Sequence, residues 1–157
     1  MNTAVPSPAW QIVVMGVSGC GKSTLTASLA QQLSLEMVDG DDLHLPESIR
    51  KMSAGIALED ADRWPWLERI GHCLDAPVRQ GQGRVVACSA LKRVYRDRIR
   101  QHASRVLFVF LDGSADTIRQ RMAARVGHYM PPELLASQLG TLERPTAEDP
   151  EIDGICG

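Results

Sequence analysis

The run Gly16-Val17-Ser18-Gly19-Cys20-Gly21-Lys22-Ser23 fits the pattern G-x-x-x-x-G-K-[ST] and narrows the fold more than any other feature of this chain. A loop of this kind needs a strand before it and a helix after it. Gln11 to Met15 is a short apolar, β-branched run, and Leu25, Leu29 and Leu33 recur at helical spacing beyond the loop. The glycines therefore fall at a strand-to-helix turn. There backbone N–H groups can turn inward without Cβ interference, and a helix N-terminus adds unpaired amides and the positive end of its dipole. The expected ligand is a nucleoside triphosphate, with Lys22 reaching the β- and γ-phosphates and Ser23 offering its hydroxyl to Mg²⁺. A glycine-rich connection that binds nothing is the bland alternative, and the flanking segments argue against it.

At 157 residues the chain is expected to be a single domain, residues 1 to 157, long enough to remove about two-thirds of its unfolded surface from water. The apolar fraction of 44% and charged fraction of 23% are those of a globular protein, and no apolar stretch is long enough to span a bilayer. Met1 to Pro8 lacks the basic patch and long apolar core of a signal peptide, which points to a cytoplasmic location. Cys20, Cys73, Cys88 and Cys156 have neither metal-ligand spacing nor the density of a disulfide scaffold, so free thiols are expected. A net charge of −2 and a pI near 6.1 exclude a strongly basic nucleic-acid footprint. The expected partner is a small molecule, with no nucleic acid and no membrane.

Strand-like and helix-like segments alternate, which predicts an α/β fold with a parallel sheet. The strands are expected at Gln11 to Met15, Glu36 to Asp39, Arg84 to Cys88 and Val106 to Leu111. The helices are expected near Lys22 to Leu33, Pro46 to Met52, Pro65 to Arg79, Lys92 to Gln101, Ala115 to Arg125 and Pro132 to Leu142. Ligands of such sheets sit beyond the carboxyl ends of the strands. The phosphate loop, Asp39 and Asp41, and Ser89 and Lys92 should therefore converge on one crevice. Arg119, Arg121 and Arg125 beside Gly127 read as a helix end feeding a basic flap over the phosphates.

Asp39-Gly40-Asp41 leaves the second strand with carboxylates at i and i+2, which project to one side of an extended backbone. Beside a phosphate loop, one of the two can hold a water on Mg²⁺ while the other takes a proton from, or orients, a substrate hydroxyl. An acidic turn with no chemical role is the plain alternative. Between Leu43 and Arg69 lie His44, Arg50, Lys51, Arg63 and Trp64-Pro65-Trp66, with Glu59, Asp60 and Asp62 just upstream of Arg63. An acid-lined pocket that also contains one or two fixed cations suits a substrate with many hydroxyls and one carboxylate, because arginine binds a carboxylate through two parallel hydrogen bonds.

The ordered series Asp39-Gly40-Asp41, His44, Lys51-Met52, Asp62-Arg63, Pro65-Trp66-Leu67, Cys88-Ser89-Ala90-Leu91-Lys92, Tyr95-Arg96-Asp97, Gly127-His128-Tyr129-Met130, Ser137-Gln138 and Thr141-Leu142-Glu143 resembles the gluconate kinases of the P-loop type. The match runs from about residue 11 to Pro145. A P-loop alone is common to many activities; this series is far more specific. The resemblance implies ATP-dependent phosphorylation of the 6-hydroxyl of D-gluconate. It also implies a P-loop NTPase three-layer sandwich, similar to nucleoside monophosphate kinases and shikimate kinase, with an arginine-bearing lid at about residues 121 to 131.

Carried over by that resemblance, Gly16, Val17, Ser18, Gly19, Cys20, Gly21, Lys22, Ser23 and Thr24 bind ATP together with the lid residues Arg121 and Arg125. Lys22, Asp41 and Arg125 carry the catalysis. Asp41, His44, Lys51, Arg63, Lys92, Arg96 and Gln138 face the sugar acid, with Arg63 placed where shikimate kinases bind a carboxylate. Ser23, and Asp39 through water, serve Mg²⁺.

Members of that family continue past the glutamate-proline segment into a fifth strand and a last helix, whereas this chain stops at Gly157. The sheet order expected here is 2-3-1-4, with at most a stub of strand five. Val106 to Leu111 would then be an apolar edge strand that pairs two chains into a homodimer or leaves the chain aggregation-prone and less stable. Two alternatives stay open: a kinase for another hydroxylated carboxylic acid such as shikimate, and a nucleotide-binding protein with little turnover.

Overall fold

A computed structural model describes residues 9–17, 21–103, 105–112, 116, 120, 132–145 and 152–156. Strand β1, Gln11–Met15, is buried along its whole length at the centre of a parallel sheet. Strands β2 (Glu36–Asp39), β3 (Arg84–Ala87), β4 (Val106–Asp112) and β5 (Ile152–Cys156) complete it. Their order is β2-β3-β1-β4-β5, so the expected 2-3-1-4 arrangement is found. In register, Val13 stands between Val86 and Phe108, and β4 meets β5 from Phe108↔Ile152 to Asp112↔Cys156.

The fifth strand corrects the expectation of a bare edge. Five residues pair with β4, so β4 is an interior strand and the reason given for dimerisation through it no longer holds. Asp153 and Gly154 are poor strand formers, and only the neighbouring strand makes the segment extended.

Alternation along the strands sends side chains to two layers. Ile12 and Val14 join Val85, Val109 and Leu111 on one face, packed against Leu25 and Leu29 of α1 (Lys22–Leu33). Val13 and Met15 join Val86, Phe108 and Phe110 on the other, under Trp66, Leu67, Ile70 and Ile99. Those four residues come from α3 (Asp60–Asp75) and α4 (Arg93–His102). A short helix α2, Pro46–Ser53, precedes α3, and α5, Pro132–Thr141, follows β4 in the chain.

Helix α3 begins five residues before the expected start at Pro65. Glu59 and Asp62 form a reciprocal capping box, with the Glu59 N–H donating to Asp62 Oδ2 at 2.9 Å. This satisfies the first turn and outweighs the proline, which stands inside the helix at the loss of one backbone donor. The helix stops at Asp75, where Ala76–Gln80 tightens into a 3₁₀ turn with Pro77 in its first turn. The lid at 121 to 131 lies outside the described residues.

Candidate active site

The phosphate loop opens at Gly16 with φ 146° and closes at Gly21 with φ 101°, backbone angles that side-chain-bearing residues rarely adopt. The Gly16 N–H donates to the Ser89 carbonyl at 3.2 Å, tying the loop to the end of β3. The Lys22 ammonium donates to the carbonyls of Gly16 at 2.8 Å and Val17 at 3.0 Å, so the charge lies over the first half of the loop. Gly21 caps α1 without a side chain, and no acidic residue occupies the first helical turn. The helix N-terminus thus keeps its amides and positive dipole end for an anion, as a phosphate site requires. Ser23 and Thr24 are exposed at this end. Ser18, Gly19 and Cys20 lie outside the described residues.

Beyond β2 the acidic pair is arranged differently from the extended dipeptide expected. The strand ends at Asp39, and Gly40–Leu43 is a 3₁₀ turn, so period-two alternation no longer applies. Asp39 is the turn's cap, its Oδ1 accepting from the Asp41 N–H at 3.0 Å. Gly40 is required by contact: a Cβ would come within 2.5 Å of the Ala87 carbonyl oxygen. On its other side the Gly40 carbonyl accepts a 2.7 Å hydrogen bond from Trp66 Nε1, and His44 stacks on the Trp66 ring at 4.1 Å.

The two acids differ in environment. Asp41 opens into the crevice with its side chain 82% exposed, and His44 Nε2 stands 4.0 Å from its Oδ1. Crowding by surrounding protein, and next the Asp39 carboxylate, raise the Asp41 carboxyl above its ordinary value, while His44 and Lys22 pull the other way. His44 is buried, and that burial lowers its imidazole below the ordinary histidine value against the pull of Asp41. Its Nδ1 is buried with no hydrogen-bond partner among the described residues.

The first turns of α3 and α4 bring cations together. Arg63 Nη1 donates to the Leu58 carbonyl at 3.0 Å and to the Tyr95 hydroxyl at 3.1 Å. Tyr95 donates in turn to Asp60 Oδ1 at 2.5 Å, and Lys92 Nζ reaches the same oxygen at 3.4 Å. The Tyr95 hydrogen bond, and then that of Lys92, hold Asp60 below the ordinary aspartate value. Lys51 is spoken for by Asp62 at 2.8 Å, an ion pair between α2 and α3.

Arg96 corrects a sequence expectation. Its side chain is fully buried, with Nη1 on the Ala90 carbonyl at 2.9 Å and Nη2 on the Glu143 carbonyl at 3.0 Å. It stitches the β3–α4 connection to the segment after α5 and presents no surface to a substrate. Gln138 sits half-buried in α5, its carbonyl accepting from the Leu142 N–H at 2.9 Å. Arg121 and Arg125 lie outside the described residues. Asp60, Tyr95 and Trp66 also contribute, although the sequence marks them only as parts of its motifs and assigns them no site role. The Asp60–Arg63 spacing of three points to the first of these once α3 starts at the Glu59–Asp62 box, whereas Tyr95 comes from α4 and carries no local signal.

A phosphate loop after β1, an acidic turn after β2 and a cationic pocket on the neighbouring helices are the architecture of a P-loop kinase that phosphorylates small molecules. Residues 12–145 match the family model described as an AAA domain. The thermosensitive gluconokinase of Escherichia coli K12 is 45% identical over 140 residues, covering 89% of this chain and 75% of that protein. The gluconokinase of Gluconobacter oxydans 621H is 46% identical over 141 residues, covering 90% and 79%. A crystal structure of a gluconokinase from Sinorhizobium meliloti 1021 superposes with a TM-score of 0.82 at 47% identity, covering 94% of this chain and 82% of that one. This chain belongs to the gluconokinase family. Among the described residues no helix is long and apolar enough to cross a membrane.

Proposed function

We propose that the chain transfers the γ-phosphoryl group of ATP to the 6-hydroxyl of D-gluconate, giving 6-phosphogluconate and ADP. The observation that carries this reading is an acid beside the phosphate-loop lysine together with two cations held on one tyrosine. Lys22 and Asp41 stand at the phosphate end, and Arg63 and Lys92 stand together beside Tyr95. A polyhydroxy acid with its carboxylate at the cations would present its far hydroxyl towards Asp41. The relatives' names agree with this acceptor.

In this reading the acceptor oxygen attacks the γ-phosphorus, the bond to the β,γ-bridging oxygen breaks, and the hydroxyl proton passes to Asp41. Lys22 leaves the loop carbonyls for the β- and γ-phosphate oxygens and offsets charge on the transferring group, and Arg121 and Arg125 add to it. The side chains present fit Mg²⁺: such an ion keeps most of its waters and takes one or two protein oxygens, and Ser23 and Asp39 are both exposed beside the loop. When bound, the ion supplies charge neutralisation at the phosphates. His44, neutral at pH 7, holds the acidic turn through its stack on Trp66.

A coupled assay of ADP release tests the acceptor. D-gluconate is expected to stimulate release strongly and shikimate to leave it at the background rate. Release that is equal with and without D-gluconate would overturn the reading.

A further inference from the structure

Tyr95 stands between the two cations of the acceptor pocket. Its ring lies 5.4 Å from the Arg63 guanidinium carbon and 5.5 Å from Lys92 Nζ, and its hydroxyl links Arg63 to Asp60. Both hydrogens on Arg63 Nη1 are engaged, one by the Leu58 carbonyl and one by the Tyr95 hydroxyl. That fixes the plane of the guanidinium and leaves its other edge for a planar anion. Asp60 Oδ1 lies 3.9 Å from Arg63 Nη1 and 3.4 Å from Lys92 Nζ, so one carboxylate oxygen holds two like charges that would otherwise repel each other. The residues come from α3 and the start of α4, and Tyr95 and Asp60 link them.

We propose that Tyr95 and Asp60 are a positioning pair that sets the affinity of this pocket for the carboxylate of a sugar acid, without touching the phosphoryl group. The inference rests on D-gluconate being the acceptor. Burial first, and the Asp60 hydrogen bond next, raise the phenol above its ordinary value, so Tyr95 stays a neutral donor at every working pH. Asp60 is partly exposed at the rim, where loss of its charge would let Lys92 swing into solvent.

Steady-state kinetics of Tyr95→Phe, Asp60→Asn and the double variant test the pair. Tyr95→Phe keeps the ring and its packing and removes only the hydroxyl. Each single variant is expected to raise KM for D-gluconate about tenfold while kcat and KM for ATP stay within about twofold of wild type. The double variant should be little worse than either single one, since both break the same link. A merely structural role would lower thermal stability and disturb both substrates together. Wild-type turnover of D-gluconate with an unchanged KM in Tyr95→Phe would overturn the pair alone, and multiplicative losses in the double variant would overturn the coupling. Absence of gluconate turnover in the wild type would overturn the acceptor assignment, and this inference with it.

Discussion

Trp66 Nε1 donates a 2.7 Å hydrogen bond to the carbonyl of Gly40, joining the helix that carries Arg63 to the turn that carries Asp41. The helix and the turn therefore share one rigid link, reinforced by the His44 ring stacked on the same indole. Trp66→Phe keeps an aromatic ring but leaves the buried carbonyl unpaired, a loss of about 1–3 kcal/mol. The expected result in denaturant titration is a lower midpoint with an unchanged slope. In kinetics kcat should fall more than KM for ATP rises, because the acidic turn loosens while the phosphate loop does not.

Asp41→Asn is expected to lower kcat by about 10²-fold or more, since the amide keeps the shape and cannot take the hydroxyl proton. It should also raise thermal stability at neutral pH, though only slightly, because water screens a side chain that is largely exposed. The Asp41 carboxyl titrates above its unfolded value of 3.8 in the native state. The stability this contributes is fully present below 3.8 and is lost as pH rises through the native value, so the ionised group opposes folding at pH 7. By the same shift, the acid limb of kcat/KM in the wild type should lie above the range of an ordinary aspartate. A variant less stable than wild type, or one that retains turnover, would contradict the account.

How far this site could be read from sequence depended on whether the signals were local. The bounds of β1, β2 and α1 match the expected ones because a short apolar run, leucines at helical spacing and the glycine loop are local signals. The expected start of α3 at Pro65 leaves Asp60, one of the acids noted upstream of Arg63, outside the helix and obscures its i,i+3 relation to Arg63. Tyr95 is 35 residues from Asp60, and only the packing of α4 on α3 brings them together. Arg96 is a substrate contact only by the resemblance, and the two carbonyls it donates to carry no sequence mark. Strand β5 has little intrinsic preference for extension and takes its form from β4.

Arg96→Met should therefore act on stability and not on chemistry. It removes the donors to the carbonyls of Ala90 and Glu143, at a loss of about 1–3 kcal/mol for a buried acceptor left unpaired. Thermal unfolding should shift down by several degrees, roughly 2–4 °C per kcal/mol for a chain of this size. At a temperature where the variant is fully folded, KM for D-gluconate should stay near wild type; a large rise in KM with normal stability would restore Arg96 to the substrate site.

Deleting residues 152–157 tests the role of the fifth strand. Strand β4 is buried on both faces, and without β5 one side of its backbone is unpaired. The shortened chain is expected to self-associate in light scattering and to unfold at lower denaturant than the 157-residue chain. Equal stability and an unchanged mass would show that β4 does not depend on this partner.

The central claim is that Lys22 and Asp41 direct the γ-phosphoryl group to the hydroxyl farthest from the carboxylate. Phosphorus-31 and carbon-13 NMR of the product formed from ATP, Mg²⁺ and D-gluconate test it most directly. The account predicts one phosphomonoester, coupled to carbon 6, and a product yield reduced by on the order of 10²-fold or more with Lys22→Ala. Inorganic phosphate as the only product, phosphorylation at another carbon, or undiminished product formation by Lys22→Ala would contradict it.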